Sequence, residues 1–391
     1  MSTRTLRIAM NGVTGRMGYR QHLVRSILAI RDAGGLELPD GDRLQVEPVV
    51  VGRNAEKLAD LAARHDIAEW STDLDAVLAD DTIDVYFDAQ VTSERKKAIL
   101  KALAAGRHVY TEKPLAETVE EGLEIVEAGH AAGTVNGVVH DKIYLPGLLK
   151  LKRLVDSGFF GKVLSVRGEF GYWVFEGDLI PAQRPSWNYR AADGGGMVLD
   201  MFCHWNYVFE HLFGRVDSVI AKAVTHIDRR WDEQGRPYAA TADDAAYAIF
   251  EIGDVIVQMN SSWAVRVDRK ELVEFQVDGT HGSAVAGLFG CRVQPRVTTP
   301  KPVWNPDLPT TEDFRAQWDE VPDNAEFSNG FRAQWEHYLR DVVTGTPHPY
   351  DFASAVRGLE LVEAGLTSSA EGRRVALETR TRATAREGAL R

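Results

Sequence analysis

Apolar and polar positions change spacing along this chain, and the change divides it. Up to about residue 140, short apolar runs at 6–10, 46–51, 68–70, 83–87, 108–111 and 135–139 have strand length and predict buried strands. Between them, helical spacing predicts helices over 18–30, 56–65, 73–78, 93–105 and 117–132, with Gly106 and Gly133 stopping the last two. Strands alternating with helices of this length imply βαβ units and a parallel sheet. Residues 31–45, rich in Gly, Asp and Pro, read as a surface loop or small hairpin. Beyond 139 a helix at 148–157 gives way to strand runs at 163–170, 216–225, 245–252, 255–261 and 272–277. Residues 292–330 hold six prolines and little periodicity, which predicts a long surface excursion. Helices return at 331–344 and 352–371. The expected division is 1–138 for the first domain, 139–378 for the second, whose C-terminal helices can pack back on the first, and 379–391 for a polar, basic tail.

Two strand ends carry the chemistry of the first domain. The run at 6–10 is followed by Asn11-Gly12-Val13-Thr14-Gly15-Arg16-Met17-Gly18, a glycine turn opening a helix. Such turns bring backbone N–H groups close to a pyrophosphate at the positive end of a helix. The spacing is G-x-x-G-x-x-G, and a tight structural turn is its other reading. Gly12, Thr14, Gly15, Arg16 and Met17 are therefore candidates for holding a dinucleotide. After the second strand, where a carboxylate would bond the ribose hydroxyls of NAD, the chain has Gly52-Arg53-Asn54. Arg53, with Asn54 beside it, suits a 2′-phosphate, so NADP(H) is preferred and NAD(H) remains possible. Arginine also stacks on π-faces, so adenine stacking or a solvated side chain is the alternative. The second strand end is Tyr110-Thr111-Glu112-Lys113-Pro114-Leu115, an apolar run closing on a carboxylate, an amine and an imino acid. Pro114 cannot donate to a sheet and keeps Lys113 out of helical geometry, so the strand stops and its side chains gather at the carboxyl end. That end is where open parallel sheets bind ligands, although a solvated turn is the plain reading of these residues alone.

A second cluster lies at Asp193-Gly194-Gly195-Gly196-Met197-Val198-Leu199-Asp200-Met201-Phe202-Cys203-His204-Trp205. Asp200 and His204 stand at i and i+4 and so share one helix face, where a carboxylate can orient an imidazole for work as a base. A core histidine bonded to its neighbour is the competing reading. No third ligand accompanies the pair, so no metal is expected. The surrounding chain is aromatic, with Tyr172, Trp173, Phe175, Trp187, Tyr189, Trp205 and Tyr207 interleaved with Arg184, Asn188 and Arg190. Flat apolar faces beside hydrogen-bond donors suit a sugar or cyclitol, and two or three of these residues are expected to line a pocket.

Composition narrows the picture without redirecting it. Hydrophobic residues at 44% and charged residues at 26% are ordinary for a globular chain. The net charge of -12 argues against a nucleic-acid or anionic-membrane partner. No apolar span is long enough to cross a bilayer, the amino terminus carries no targeting pattern, and two cysteines cannot form a framework, which points to a reduced cytoplasmic protein.

Together, the glycine turn, Glu112-Lys113-Pro114, the Gly194-Gly195-Gly196 run with Asp200 and His204, and the closing segment 345–377 resemble the Gfo/Idh/MocA oxidoreductases, the glucose-fructose oxidoreductase and inositol dehydrogenase family. The likeness spans about 6–377. It implies an α/β Rossmann domain with a doubly wound parallel sheet, followed by an α+β domain with a large, mostly antiparallel open sheet that commonly mediates dimers or tetramers. It also implies hydride transfer between nicotinamide and a secondary alcohol or ketone of a sugar, glycoside or cyclitol. Carried onto this chain, Lys113 contacts the reacting oxygen and the cofactor, His204 exchanges the hydroxyl proton, and Asp200 binds substrate or orients the histidine. Trp187 and Arg190 join them as substrate contacts, Gln90 and Glu112 join the cofactor set, and a cis Lys113-Pro114 bond is expected. Two departures stand out. Relatives usually have Thr-Pro or Asn-Pro and a histidine after the fourth strand, where this chain has Ala89-Gln90-Val91-Thr92-Ser93-Glu94; and the aspartate common three residues beyond the histidine is Tyr207 here. A sensor without turnover, an imine reductase and an oxidation-elimination catalyst are the alternative functions on the same fold.

Overall fold

The computed structural model of the chain describes residues 3–378, so the tail expected at 379–391 lies outside the described residues. The chain folds as two compact units, and each draws on both parts of the sequence. The first takes residues up to Tyr144 and then Ser328–Leu359, rather than closing near 138; the second takes Leu145–Phe327 and Glu360–Glu378. The dividing point therefore falls inside the helix Phe352–Glu371.

The first unit is a Rossmann fold. Its strands are β1 (Thr3–Asn11), β2 (Leu36–Glu37), β3 (Arg43–Val51), β4 (Glu69–Ser71), β5 (Val85–Asp88), β6 (His108–Thr111) and β7 (Asn136–Val138). The sheet runs β2-β3-β1-β5-β6-β7 with β4 also on β3, and every pairing is parallel except that of β2 with β3. Helices α1 (Gly18–Leu28, wound as a π-helix and continued by Ala29–Asp32), α2 (Ala55–Arg64), α3 (Leu74–Ala79), α4 (Thr92–Ala104) and α5 (Val119–Ala132) connect the strands. Alternate strand residues feed two cores on opposite faces, as a sheet covered on both sides requires. Ile8, Met10, Phe87 and Tyr110 pack with Leu23, Ile27, Trp335 and Tyr338, while Ala9, Tyr86 and Val109 pack with Ile99, Leu103, Ile125 and Val356. The helix Gly330–Thr344 is thus part of this unit's core: Tyr110 stacks on Tyr338 at 4.5 Å and meets Trp335 edge-on at 4.6 Å. Behind it, His348 Nδ1 bonds Asp341 Oδ2 at 2.7 Å and Tyr144 bonds His337 Nδ1 at 2.7 Å, bracing the turn that follows the helix.

The second unit is built on a nine-stranded sheet. After α6 (Pro146–Asp156) come β8 (Val163–Gly171), α7 (Met197–Leu212), β9 (Ser218–Val224) and a small hairpin of β10 (Arg229–Trp231) with β11 (Pro237–Ala239). They are followed by β12 (Ala245–Ile252), β13 (Val255–Ser262), β14 (Val273–Gly279), β15 (Gly282–Ala286), β16 (Cys291–Pro295), β17 (Asp319–Glu320) and β18 (Val375–Ala376). The order is β17-β16-β15-β14-β8-β13-β12-β9-β18, antiparallel throughout except for β13 beside β8. Its inner face packs under α7, where Phe202 and Phe209 each meet Phe250 at 5.4 Å and Trp205 meets Phe275 at 5.8 Å. Strands β16 and β17 lie where little periodicity was read, because both are short and β17 takes its register from Arg292 rather than from its own sequence. Cys203 and Cys291 are both buried and unbridged. Among the described residues, no helix is long and apolar enough to cross a membrane.

Candidate active site

The glycine turn sits between β1 and α1. Gly12 has φ +83°, and a Cβ there would fall 2.5–2.7 Å from the Ala89 carbonyl and the Gln90 nitrogen. Only glycine lets the end of β1 lie this close to the loop after β5. Gly15 N–H donates to the Gly12 carbonyl at 3.2 Å, and Thr14, Gly15, Arg16 and Met17 are exposed on the turn ahead of α1. An uncluttered backbone leading into a helix N-terminus is a cradle of the right chemistry for a dinucleotide pyrophosphate. Past β3, Arg53 is exposed, but the Asn54 side chain accepts from Lys57 N–H at 2.9 Å and caps α2. Asn54 is thereby engaged through its carbonyl oxygen as a helix cap, next to the exposed Arg53 side chain.

At the end of β6, Glu112 turns inward. Its Oε1 lies 2.8 Å from His22 Nε2, and its Oε2 accepts the Lys113 N–H at 3.0 Å. Trp335 Nε1–H donates to His22 Nδ1 at 3.0 Å, and since an indole N–H can only donate, His22 donates from Nε2 to the carboxylate. Burial by itself would raise the Glu112 carboxyl, but the His22 bond and the charges of Lys113 and Arg95 bring it down to about 2. Both oxygens of Glu112, a residue expected in the cofactor set, thus have partners within the protein, and one of them fixes the backbone of Lys113. The Lys113-Pro114 bond is cis, as the resemblance implies, and Lys113 is partly buried.

A second brace was not read from the sequence. Asp88, fully buried at the end of β5, accepts from the Tyr86 hydroxyl at 2.7 Å, the Gln90 N–H at 3.0 Å and Arg95 Nε at 3.2 Å. Arg95, on α4, also donates to the carbonyls of Gln90, at 2.8 Å, and Pro114. One guanidinium therefore ties the loop carrying Gln90 to the loop carrying Lys113. Burial raises the Asp88 carboxyl in spite of Arg95. The signal was present: β5 ends on a carboxylate after an apolar run, as β6 nearly does.

In the second unit, α7 starts where Asp243 reaches over it. Asp243 accepts Val198 N–H at 2.8 Å, and its side chain passes so near Gly196 (φ +135°) that a Cβ would lie 2.7 Å away. This accounts for Gly196, while a Cβ at Gly195 would lie 2.4 Å from the Asn188 carbonyl oxygen. Asp200 is held by Arg184 at 2.8 Å. That guanidinium also bonds Asn188 Oδ1 at 2.9 Å and lies 4.1 Å from the Trp263 ring centroid. His204 is buried, and its Nδ1 lies 2.7 Å from the Tyr207 hydroxyl. Asp200 and His204 stand one turn apart on α7, with Tyr207 on the Nδ1 side of the imidazole and Arg184 on the carboxylate. Of the aromatic candidates, Tyr189 and Trp205 are core, the latter donating to Ser261 Oγ at 3.0 Å. Trp187 is half exposed, and Arg190 stacks on Tyr238 at 4.5 Å.

Residues 6–140 match the family described as "Oxidoreductase family, NAD-binding Rossmann fold", and residues 148–285 match the "GFO/IDH/MocA C-terminal domain". A D-xylose dehydrogenase of Paenarthrobacter nicotinovorans is 64% identical over 378 residues, which is 95% of this chain and 97% of that protein. The chain belongs to the Gfo/Idh/MocA oxidoreductase family. It is a nicotinamide-dependent oxidoreductase acting on CH–OH groups. A levoglucosan dehydrogenase of Pseudarthrobacter phenanthrenivorans is more distant, 24% identical over 62% of this chain and 65% of its own length. The solved structure of a levoglucosan dehydrogenase in complex with NADH and L-sorbose shares the fold, with a TM-score of 0.78 at 19% identity over 96% of this chain and all of that one.

Proposed function

We propose that this chain is a sugar dehydrogenase whose substrate is D-xylose, with NADP(H) as its preferred cofactor. The observation that carries the substrate is the 64% identity, end to end, with a D-xylose dehydrogenase. In this reading Lys113 holds and polarises the reacting oxygen, and its partly buried ammonium at a braced strand end suits that role. His204 takes the hydroxyl proton, while Asp200, fixed by Arg184, binds a sugar hydroxyl alongside Trp187 and Arg190. Gly12, Thr14, Gly15, Arg16 and Met17 cradle the pyrophosphate, with Gln90 at the nicotinamide side. The nicotinamide, when bound, accepts the hydride. The test is a dehydrogenation screen at about 340 nm, the absorbance of the reduced ring, over D-xylose, other free sugars, glycosides and inositols with both cofactors. The highest kcat/KM is expected for D-xylose; a better cyclitol or glycoside would overturn the substrate assignment.

Arg53 carries the cofactor preference. Arg53→Asp is expected to weaken NADP binding at least tenfold relative to NAD, since the change removes a cation and adds an anion beside a 2′-phosphate. Side-by-side fluorescence titrations that leave the ratio unchanged would remove Arg53 from the account.

The outer face of the second unit's sheet supports a homodimer or homotetramer. Ile220 pairs with Ile249 across β9 and β12, and with Tyr247 and Ile256 on the same face they are 39–46% exposed. Light scattering is expected to give a multiple of 43.4 kDa, and a monomer at micromolar concentration would count against this face as an interface.

A further inference from the structure

We propose that His337, Asp341 and His348 form a site for one divalent transition-metal ion such as zinc. The ion clamps the end of the helix Gly330–Thr344 to the chain that returns from it.

His337 and Asp341 stand at i and i+4 near the end of that helix and so share one face. Gly345, at φ +66°, ends the helix and turns the chain, and His348 comes back against the same face. Each of the three offers one ligand atom, and these atoms all lie within 4.8 Å of one another. Asp341 Oδ2 is the middle of the group, 2.7 Å from His348 Nδ1 and 3.5 Å from His337 Nε2. Donors held about 2.0–2.1 Å from a tetrahedral zinc ion stand about 3.3 Å from one another. The pair at 3.5 Å already has that spacing. A small rotation of the carboxylate opens the other pair and admits an ion in place of the hydrogen between its atoms.

The surroundings suit such an ion. Two neutral imidazoles and a carboxylate leave a single negative charge for a dication to meet. This mixed nitrogen and oxygen set favours zinc and its neighbours over calcium or magnesium, which take oxygen alone. Burial and the nearby His348 hold the His337 imidazole below its usual value, so it stays neutral and able to ligate near neutral pH. On its far side, His337 Nδ1 lies 2.7 Å from the Tyr144 hydroxyl. With an ion at Nε2, Nδ1 carries the ring proton and donates to the Tyr144 oxygen, the outer contact that fixes a ligand imidazole. His348 meets the rings of Tyr110, Tyr338 and Tyr350 edge-on, which holds it in place. Its side chain is 1% exposed and that of Asp341 11%, whereas that of His337 is 40% exposed. The site thus has a packed inner wall and an open outer side, where an ion can enter and water can complete the coordination. Its role is structural: Tyr338 stacks on Tyr110, so an ion here fastens the helix that fills one face of the sheet.

The test uses the full chain, stripped with a chelator and titrated with zinc chloride by calorimetry. One zinc per chain is expected, with a dissociation constant in the micromolar range or tighter. His337→Gln and Asp341→Asn each replace a ligand by a side chain of similar size, and neither residue belongs to the cofactor or substrate set. Each should weaken zinc binding at least tenfold, since losing even an outer contact of a ligand costs roughly that much. Zinc at about a hundred times its dissociation constant should raise the parent melting temperature by roughly 5–10 °C, and by less than half as much in either variant. Cobalt(II) titration of the parent needs no variant to fold. It should give the visible absorption band of a four- or five-coordinate nitrogen and oxygen site, and zinc should bleach it. Absence of micromolar zinc binding or of the cobalt band overturns the site. Undiminished zinc affinity in both variants also overturns it, by giving the ion to other residues.

Discussion

Arg95→Ala is expected to destabilise the Rossmann unit by about 3 kcal/mol, the lower end of what breaking a buried ion pair costs when one partner stays behind. The remaining partner is Asp88, fully buried and still held by Tyr86 and the Gln90 amide. Those two bonds soften the loss, while the carbonyls of Gln90 and Pro114 lose their shared donor. The sign of the pH dependence follows from Asp88. Burial already raises its folded carboxyl above the usual value, and removing Arg95 raises it further. A raised carboxyl destabilises the fold once the unfolded chain ionises, so the deficit should be small near pH 4 and grow as pH rises towards neutrality. For a unit of this size about 3 kcal/mol corresponds to a drop of roughly 6–12 °C in melting temperature. Adding Asp88→Asn should recover part of it. A melting temperature within 2 °C (about half a kcal/mol) of the parent at pH 7 would show that the pair contributes little.

Turnover carries the other large effect. Lys113→Ala and His204→Ala are each expected to lower kcat by roughly 10²–10⁴, the range attributed to a positioned acid or base. Cofactor binding, followed by fluorescence, should survive in His204→Ala, because nothing in α7 belongs to the glycine turn. Lys113→Arg should not restore the parent rate: a guanidinium is planar and permanently charged, whereas the proposed role calls for a compact ammonium that can share its proton. If both alanine variants retained full turnover with cofactor binding intact, the assignment of the two roles would be wrong.

Local pattern made much of this legible. The strand run at 108–111 and the strand run at 245–252 coincide with β6 and β12, because both are short apolar stretches bounded by breakers. The glycine turn and the helix with Asp200 and His204 were readable for the same reason: their spacing is a property of neighbours in sequence. What escaped was pairing at a distance. His22 reads as one polar residue in a helix, and its value appears only when Glu112 and Trp335 arrive at its two nitrogens from 90 and 313 residues away. Asp200 and His204 were expected to serve each other because i, i+4 is the local rule. Arg184 and Tyr207 show that a cation from a preceding loop and a hydroxyl at i+3 also compete for those side chains.

The line of contacts from Trp335 through His22 to Glu112 bears on the order in which the protein is made. Trp335 and Tyr338 fill the face of the sheet that carries Phe87 and Tyr110, and they emerge only after Leu145–Phe327, the larger part of the second unit, has been synthesised. At roughly 5–20 residues per second, the interval between Tyr144 and Leu359 leaving the ribosome is about 10–40 s. During that time the nascent nucleotide-binding half lacks part of its core, and Glu112 lacks the second prop behind its histidine. A fragment ending at residue 144 is for the same reason an incomplete fold rather than a minimal one, and the strand end that presents Lys113 is finished last.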